Sequence, residues 1–425
     1  MDNDGAYEAL RKHLDGLPIG FPKAAAGGRF LCRLFNPEEA RLALALDWRF
    51  RTLPEIMVAL ALLESRGLTG DSSRTAVDSG GSAKLGSLDA SVVERMLKDM
   101  AAKGCLLWRM GQGGWALMPF VVGMFELQVA RLTKPLYDDA VDYLKTGFGL
   151  VLLTTGEAQS RIIPIGAAIK PEHRIADYDE FRSLIRGSGG RIAVLDCICR
   201  RGSDLSGKPC KATDRRELCM VFRDYADTVL REGWGRALTT EEALELAELN
   251  QREGLIMRPS NEKEPQFLCA CCGDCCGLVG VVKAMKRPAD FVATNFRARV
   301  LEVACTGCGA CARICPMEAI ELVGRPAVKD PGQKVTSGMV KIGGKAGKSV
   351  ARVLEGRCIG CGVCVGACRF GAVALEPLDR VSEPPRDTEE LMERLAASRP
   401  GNFMKYRLGI RGLLGLPVPK PWHKS

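Results

Sequence analysis

Cys305-Thr-Gly-Cys308-Gly-Ala-Cys311-Ala-Arg-Ile-Cys315-Pro316 is the stretch that decides the fold of the last third of this 425-residue chain. Its spacing, C-x2-C-x2-C-x3-C, returns in Cys358-Ile-Gly-Cys361-Gly-Val-Cys364-Val-Gly-Ala-Cys368, where Arg369 takes the place of the final proline. Three cysteines at this spacing wrap a tight loop around one iron–sulfur cubane, and the fourth is a ligand of the other cluster. Glycines inside each run let the backbone approach the cluster closely. The two runs therefore predict a pair of [4Fe–4S] clusters.

The cross-over of the fourth cysteine assigns the ligands of each predicted cluster. The first cluster is assigned to Cys305, Cys308, Cys311 and Cys368. The second is assigned to Cys358, Cys361, Cys364 and Cys315. A pair of zinc knuckles is the alternative, but it does not explain the Cys-Pro ending of the first run. Residues 317–320 and 370–373 are similar, so we expect a pseudo-twofold repeat of a helical turn and a strand.

Nineteen cysteines occur in the chain, and nine of them lie in its middle. These nine candidate ligands are Cys197, Cys199, Cys210, Cys219, Cys269, Cys271, Cys272, Cys275 and Cys276. Such clustering predicts metal ligation, but the sequence does not show which cysteines act together. Four interpretations stay open: one or two additional iron–sulfur clusters, a structural zinc, a redox dithiol, or inert buried cysteines. Adjacent cysteines point in different directions, so the two Cys-Cys pairs are not expected to share one metal.

The remaining composition is that of a folded globular protein, with 46% hydrophobic residues. Three histidines are too few and too scattered to be the main metal ligands. Cys32 and Cys105 are isolated beside apolar residues and are expected in the core. The chain has no apolar stretch long enough to cross a membrane and no secretory signal, so we expect a cytoplasmic protein.

Helical patterns over residues 53–64 and 91–103 are followed by a predicted hairpin of residues 106–110 and 115–118. Helices followed by a small hairpin indicate a winged helix, a fold that often binds DNA. Residues 40–120 carry ten Lys or Arg against eight Asp or Glu, a net charge of only +2. Release of counterions from DNA needs several cations on one face, so nucleic acid is not expected as a partner.

The positive charge lies elsewhere in the chain. Residues 399–425 hold six basic side chains and no acidic one. The linker between the two runs, residues 324–357, carries eight Lys or Arg against two acidic residues and reads as a basic flap. Four of its lysines are Lys334, Lys341, Lys345 and Lys348. Both regions suit an acidic redox partner such as a ferredoxin, a flavodoxin or an oxidoreductase subunit.

The fold class expected from these patterns is α+β, in four parts. Residues 1–130 are predicted to form a helical and winged-helix domain, and residues 131–296 a cysteine-rich middle domain. Residues 297–378 are predicted to form a ferredoxin-like domain with two [4Fe–4S] clusters. Residues 379–425 are expected to form a helix and a basic tail.

The chain resembles multi-domain 4Fe–4S binding proteins of anaerobic bacteria. Beyond the ferredoxin runs, the resemblance rests on the following stretches: Leu14-Asp-Gly-Leu-Pro-Ile-Gly-Phe-Pro22, residues 35–44, residues 118–126, Cys197-Ile-Cys199-Arg200 and residues 269–276. It implies low-potential electron transfer in an anaerobe. Cys271-Cys272-Gly273 and Cys275-Cys276-Gly277 also resemble the Cys-Cys-Gly element of heterodisulfide reductase subunits, although the wider spacing of that family's motif is absent.

The function expected from the sequence is electron transfer through the two ferredoxin-type clusters and at least one further cluster in the middle domain. An electron carrier or a subunit of an oxidoreductase is favoured over a stand-alone catalyst, and no catalytic residue can be named. Two alternatives remain: a cluster-sensing transcriptional regulator that uses the winged helix, and a reductase with its active site at the middle cysteines.

Overall fold

A computed structural model describes residues 3–66, 89–110, 113–168, 176–324 and 349–420. The four lysines of the predicted flap lie outside the described residues. No helix in the described part of the chain is long and apolar enough to cross a membrane.

The N-terminal part is helical and ends in a small hairpin. Its helices are α1 (Asn3–Gly16), α2 (Ala25–Leu34), α3 (Pro37–Leu42), α4 (Leu53–Ser65) and α5 (Ala90–Ala102). The strands β1 (Leu106–Trp108) and β2 (Trp115–Leu117) pair antiparallel. Asn36 and Glu39 form a capping box that begins α3, with Pro37 in its first turn. The two predicted helices and the hairpin are confirmed, whereas the winged-helix interpretation stays a prediction.

An aromatic cluster joins this part to the middle of the chain. Phe120 lies at its centre, with ring centroids 5.0 Å from Phe30, 4.9 Å from Tyr143 and 5.1 Å from Phe148. Tyr143 ends α6 (Lys134–Tyr143), which is followed by α7 (Gly149–Thr154). One buried apolar cluster extends from α1 through these rings to the sheet of the middle domain. The N-terminal helices therefore support the sheet directly.

The middle domain is built on a five-stranded antiparallel sheet in the order β5-β3-β4-β7-β6. Its strands are β3 (Ile192–Asp196), β4 (Glu217–Phe222), β5 (Gly235–Ala237), β6 (Ile256–Pro259) and β7 (Phe267–Cys271). The helices around it are α8 (Phe181–Arg186), α9 (Ile198–Leu205), α10 (Arg223–Arg231), α11 (Thr240–Arg252) and α12 (Gly277–Lys283). Thr239 and Glu242 form a capping box at the start of α11.

The C-terminal part contains the expected repeat. Its first half is β8 (Phe296–Val300), α13 (Ala310–Ile314) and β9 (Ile320–Gly324), and its second half is β10 (Ser349–Val353), α14 (Val363–Gly366) and β11 (Val373–Pro377). Strand β8 pairs with β11, and β9 with β10, both antiparallel. Because β10 occupies Ser349–Val353, the basic linker is shorter than the predicted 324–357. Helices α15 (Thr388–Ala397) and α16 (Asn402–Leu414) follow.

Short helical turns connect these elements. Those of 3-10 type are Ala43–Ala45, Glu126–Arg131, Gly166–Ala168, Asp177–Asp179, Pro288–Phe291 and Glu355–Arg357. Leu144–Phe148 is a wider turn between α6 and α7, and Phe120–Met124 is an irregular turn with extended residues inside it.

Candidate iron–sulfur sites

The two ferredoxin loops are shaped by glycines at equivalent positions. Gly307 and Gly360 adopt φ of +73° and +70°, in the left-handed region that disfavours residues with a Cβ. A Cβ on Gly307 would collide with the carbonyl oxygen of Ser349, the first residue of β10. A Cβ on Gly360 would collide with that of Phe296, the first residue of β8. Each loop is therefore held against the first strand of the other half.

Backbone N–H groups donate to the sulfur atoms with the same symmetry. The amide of Ala298 in β8 donates to Cys358 Sγ at 3.3 Å, and that of Ala351 in β10 donates to Cys305 Sγ at 3.4 Å. The amide of Ala319 donates to Cys315 Sγ at 3.2 Å. Such donors stabilise thiolate and the negative charge of a bound cluster. The loops and their donors fit a pair of [4Fe–4S] clusters.

The electrostatics of the thiols show which cysteines are neighbours. Burial, together with the charges of Cys358 and Cys315, raises the pKa of Cys361 to about 12. Burial also raises the pKa of Cys311, with additional contributions from the charges of Cys305 and Cys368. The structure thus brings Cys315 beside the second run and Cys368 beside the first. This is the neighbourhood that the cross-over of the fourth ligands requires, and the ligand assignment itself stays a prediction.

The two loops differ in their exposure. Cys308 of the first run is exposed, whereas its counterpart Cys361 is buried. The amide of Ala310 lowers the pKa of Cys308, and Arg313 Nη1 donates to the carbonyl of Cys308 at 3.1 Å. Among the described residues, the first loop therefore exposes a cysteine that its counterpart in the second loop buries.

Six of the nine middle cysteines meet in one place. Cys197 precedes α9 and Cys199 lies in its first turn, Cys219 lies on β4, Cys269 and Cys271 lie on β7, and Cys276 precedes α12. Successive side chains of a strand point to opposite faces, so Cys269 and Cys271 share a face. Met220 of β4 is paired with Leu268 of β7, which sets Cys219 beside Cys269.

Each of these six thiols shifts the pKa of its two neighbours, and together they form a closed ring, hereafter the six-thiol ring. The order around it is Cys197, Cys199, Cys276, Cys271, Cys269, Cys219 and back to Cys197. The Sγ atoms of Cys271 and Cys276 are 3.6 Å apart. Hydrogen bonds from their neighbours lower the pKa of Cys197 and of Cys276, so these two positions favour thiolate.

The ring lines a cavity of about 50 Å³. Glu126, Tyr225 and Arg258 also line the cavity. Burial raises the pKa of Glu126 to about 8, although the amide of Gly123 donates to it at 2.9 Å. The thiolates could bind a metal centre in this cavity. The negative charge that they bring would be balanced in part by Arg258, while Glu126 is held largely protonated by burial.

Arg200 is the buried cation next to the ring, with 1% of its surface exposed. Its Nη1 donates to Cys197 Sγ at 3.3 Å and to the carbonyl of Ala270 at 3.0 Å. Its Nε donates to Cys210 Sγ, also at 3.3 Å. Nη2 has no hydrogen-bond partner among the described residues, which leaves one buried donor for a bound group.

The other three middle cysteines form a second group with an aspartate. Cys210, Cys272, Asp274 and Cys275 hold their ligand atoms within 4.8 Å of one another, and we call them the four-donor site. Cys271 and Cys276 thus belong to the ring, whereas Cys272 and Cys275 belong to the four-donor site, although Cys272 also lines the cavity. The two members of each Cys-Cys pair therefore lie in different groups.

The turn that carries the four-donor site also touches the ferredoxin domain. A Cβ on Gly273 would lie 2.8 Å from the carbonyl oxygen of Pro316, the residue after Cys315. A Cβ on Gly254 would lie 3.1 Å from Ile314 Cδ1. Cys271 and Cys276 belong to the same buried apolar cluster as three ferredoxin cysteines, Cys311, Cys361 and Cys364. The turn that carries the middle thiols is therefore in packing contact with the end of the first ferredoxin run, next to Cys315.

The two isolated cysteines differ. Cys105 is fully buried, as expected, and burial raises its pKa to about 12. The expectation that Cys32 lies in the core is wrong, since Cys32 is exposed on α2. The buried face of α2 is formed by Ala26, Phe30, Leu31 and Leu34, and residue 32 falls on the opposite side of the helix.

Sequence reasoning missed four residues around the middle thiols: Glu126, Arg200, Arg258 and Asp274. Asp274 could have been noticed, because it lies between two Cys-Cys pairs and supplies a donor at ligand spacing. Glu126, Arg200 and Arg258 have no such signal, since only the tertiary fold brings them to the cavity.

Comparison with known proteins supports the ferredoxin part of this description. Residues 304–372 match the family model of the 4Fe-4S dicluster domain. No curated protein and no solved structure matches the chain. The dicluster match, together with the cysteine-rich middle region, supports an iron–sulfur protein of ferredoxin type with an electron-transfer role.

Proposed function

We propose that the protein relays low-potential electrons through two ferredoxin-type [4Fe–4S] clusters to a further iron–sulfur centre at the six-thiol ring. The observation that carries this proposal is the packing of Gly273 against Pro316 at the end of the first ferredoxin run. Pro316 follows Cys315, which is assigned to the second cluster, so the contact joins that cluster site to the middle thiols. An electron could then move inside the protein from one centre to the next without crossing solvent.

The exposures of the two ferredoxin loops support a direction for the relay. Cys308 is exposed, so electrons exchange with a partner at the first cluster, whereas Cys361 and Cys364 are buried beside the middle domain. The amides of Ala298, Ala319 and Ala351 donate to sulfur and thereby stabilise the reduced, more negative state. When bound, the clusters would act as one-electron carriers. The three amides would then help to set the reduction potentials of the clusters.

The net charge of the ferredoxin segment of the sequence supports an acidic redox partner. Residues 300–376 carry ten Lys or Arg against six Asp or Glu, a net charge of +4. Arg313 lies at the exposed Cys308. An acidic ferredoxin, flavodoxin or oxidoreductase subunit would be steered to this surface.

The six-thiol ring supports reductase chemistry as the second candidate function. A cubane takes four cysteine ligands, so a ring of six leaves two thiols beside the cavity. A DNA-binding regulator gains less support from the described residues. On α5, the helix that would enter DNA, Lys98 pairs with Glu94 at 2.8 Å, so part of the positive charge of this helix is already paired.

Analysis of the protein purified without oxygen tests the proposal. We expect clearly more than the roughly eight irons that two [4Fe–4S] clusters contain, with matching acid-labile sulfide. The double variant Cys219→Ser/Cys269→Ser should lose only the excess iron, and Cys32→Ser serves as its control. Eight irons in the unaltered protein would refute the third centre. In that case EPR of the reduced protein would still show whether the two ferredoxin-type clusters are present.

A further inference from the structure

The four-donor site is separate from the six-thiol ring and differs from it in chemistry. Cys210 lies in the loop after α9, and the other three members lie in the turn between β7 and α12. The three cysteines are buried and Asp274 is exposed. The site therefore lies just below the surface, with its carboxylate outermost.

The spacing of its sulfur atoms matches one metal ion. Cys210 Sγ lies 3.8 Å from Cys272 Sγ and 3.9 Å from Asp274 Oδ1. Two sulfur ligands at about 2.3 Å from a tetrahedral zinc are about 3.8 Å apart. The ligands of a cubane bind four different irons at its corners and stand farther apart, so Cys210 and Cys272 as placed fit one ion. By the same reasoning Cys271 and Cys276, whose Sγ atoms are 3.6 Å apart, are not both ligands of one cubane at the ring.

The surroundings hold the donors in place for a cation. The amide of Lys211 donates to Asp274 Oδ2 at 2.8 Å, which leaves Oδ1 on the side of Cys210. Arg200 Nε donates to Cys210 Sγ. Partners that orient the ligands in this way are typical of protein metal sites. Three thiolates, one carboxylate and a divalent ion sum to a charge of −2, which the buried Arg200 reduces to −1.

We propose that Cys210, Cys272, Asp274 and Cys275 bind one Zn²⁺ ion in a closed, structural site. Thiolate ligands select zinc over magnesium or calcium, and four protein ligands leave no position for substrate. The ion ties the turn that packs on Pro316 to the loop after α9. It therefore fixes the position of the middle thiols relative to Cys315 and Pro316 at the end of the first ferredoxin run, and its presence does not depend on a cluster at the ring.

Metal analysis of the full-length protein, purified without oxygen and dialysed against EDTA, tests this site. We expect one zinc per chain in the unaltered protein and in Cys32→Ser. Cys210→Ser and Asp274→Ala should lose zinc at least tenfold more readily to a chelator, while EPR of the ferredoxin clusters persists. Zinc X-ray absorption of the unaltered protein should show three sulfur ligands and one oxygen ligand, a readout that needs no variant.

Three results would overturn the assignment. Absence of zinc from the unaltered protein would do so, as would zinc with a different ligand set. Loss of iron in place of zinc from Cys210→Ser would show that these residues are cluster ligands.

Discussion

The ferredoxin cysteines and the middle cysteines reach their sites by opposite routes. Each ferredoxin run places three ligands within seven residues of one loop, and two glycines per run shape that loop. The six-thiol ring draws its members from two strands and the starts of two helices, spread over residues 197–276. Local spacing is therefore enough to predict the first kind of site, whereas the second depends on strand register.

The two regions also differ in how the thiols meet. In the middle domain thiols contact one another, with Sγ atoms 3.6 Å apart for Cys271 and Cys276 and 3.8 Å apart for Cys210 and Cys272. In the ferredoxin loops the sulfur atoms accept from backbone amides such as those of Ala298 and Ala351. The ferredoxin loops are thus shaped by contacts with the backbone, whereas the middle sites are shaped by contacts between side chains.

The largest expected effect comes from removing a ligand that crosses between the two runs. Cys315→Ala and Cys358→Ala should damage the same cluster, because both are assigned to the second one. About four irons should be lost in each variant, with the EPR signal of the cluster at Cys305 largely retained. Equal loss of both cluster signals would contradict the assignment. The iron of the middle centre should stay, which would separate the two regions experimentally.

The glycines give the next largest effect. Gly307→Ala forces a Cβ into the carbonyl oxygen of Ser349, in addition to the roughly 1–2 kcal/mol that a left-handed backbone costs alanine. We expect reduced occupancy of the first cluster and a lower midpoint of denaturation.

Gly371→Ala is the matched control, since Gly371 has φ of +61° and no atom within 4 Å of the added Cβ. It should show only the backbone cost. Similar losses in both variants would mean that the contact with β10 does not shape the loop.

Arg200 offers a smaller effect, confined to the middle domain. Arg200→Met removes the buried donors to Cys197 and Cys210, which should destabilise the reduced ring centre by on the order of 2 kcal/mol. Redox titration followed by EPR should therefore show a lower potential for the middle centre alone.

Arg201→Met is the control, because Arg201 is half exposed and pairs with Asp196 at 3.4 Å. A shift of the ferredoxin potentials as large as that of the middle centre would contradict the separation of the two regions.

The smallest expected effect concerns the predicted basic flap. Changing Lys334, Lys341, Lys345 and Lys348 to glutamate should slow electron transfer with an acidic ferredoxin or flavodoxin several-fold at low salt. The difference should shrink as salt rises, because charges are screened beyond about 8 Å at physiological ionic strength. Iron content and cluster spectra should not change. If the variant and the unaltered protein transfer electrons at the same rate at low salt and at high salt, the flap has no part in the mechanism.

The ferredoxin half was predictable because its ligand spacing, its glycines and its repeat all lie in the local sequence. The middle domain was predictable only as cysteine-rich. The partnership of Cys219 with Cys269 follows from the pairing of β4 with β7, which no local pattern reveals. Arg200 adjoins Cys199 in the sequence, but its role depends on a fold that buries it between two groups of thiols. Cys32 shows the reverse error, since its apolar neighbours face inward while it faces solvent.

Arg200 contacts a thiol of each middle site, which makes the two sites a linked pair. One guanidinium donates to Cys197 of the ring and to Cys210 of the four-donor site, so both draw on the same positive charge. The coupling free energy between two linked sites is the same in both directions, so each site changes the equilibrium of the other by the same factor. If zinc draws electron density from Cys210, the guanidinium is available to Cys197, and the ring accepts an electron more readily. Reduction of the ring must then strengthen zinc binding by the same factor, so that the metal site reports the redox state of its neighbour.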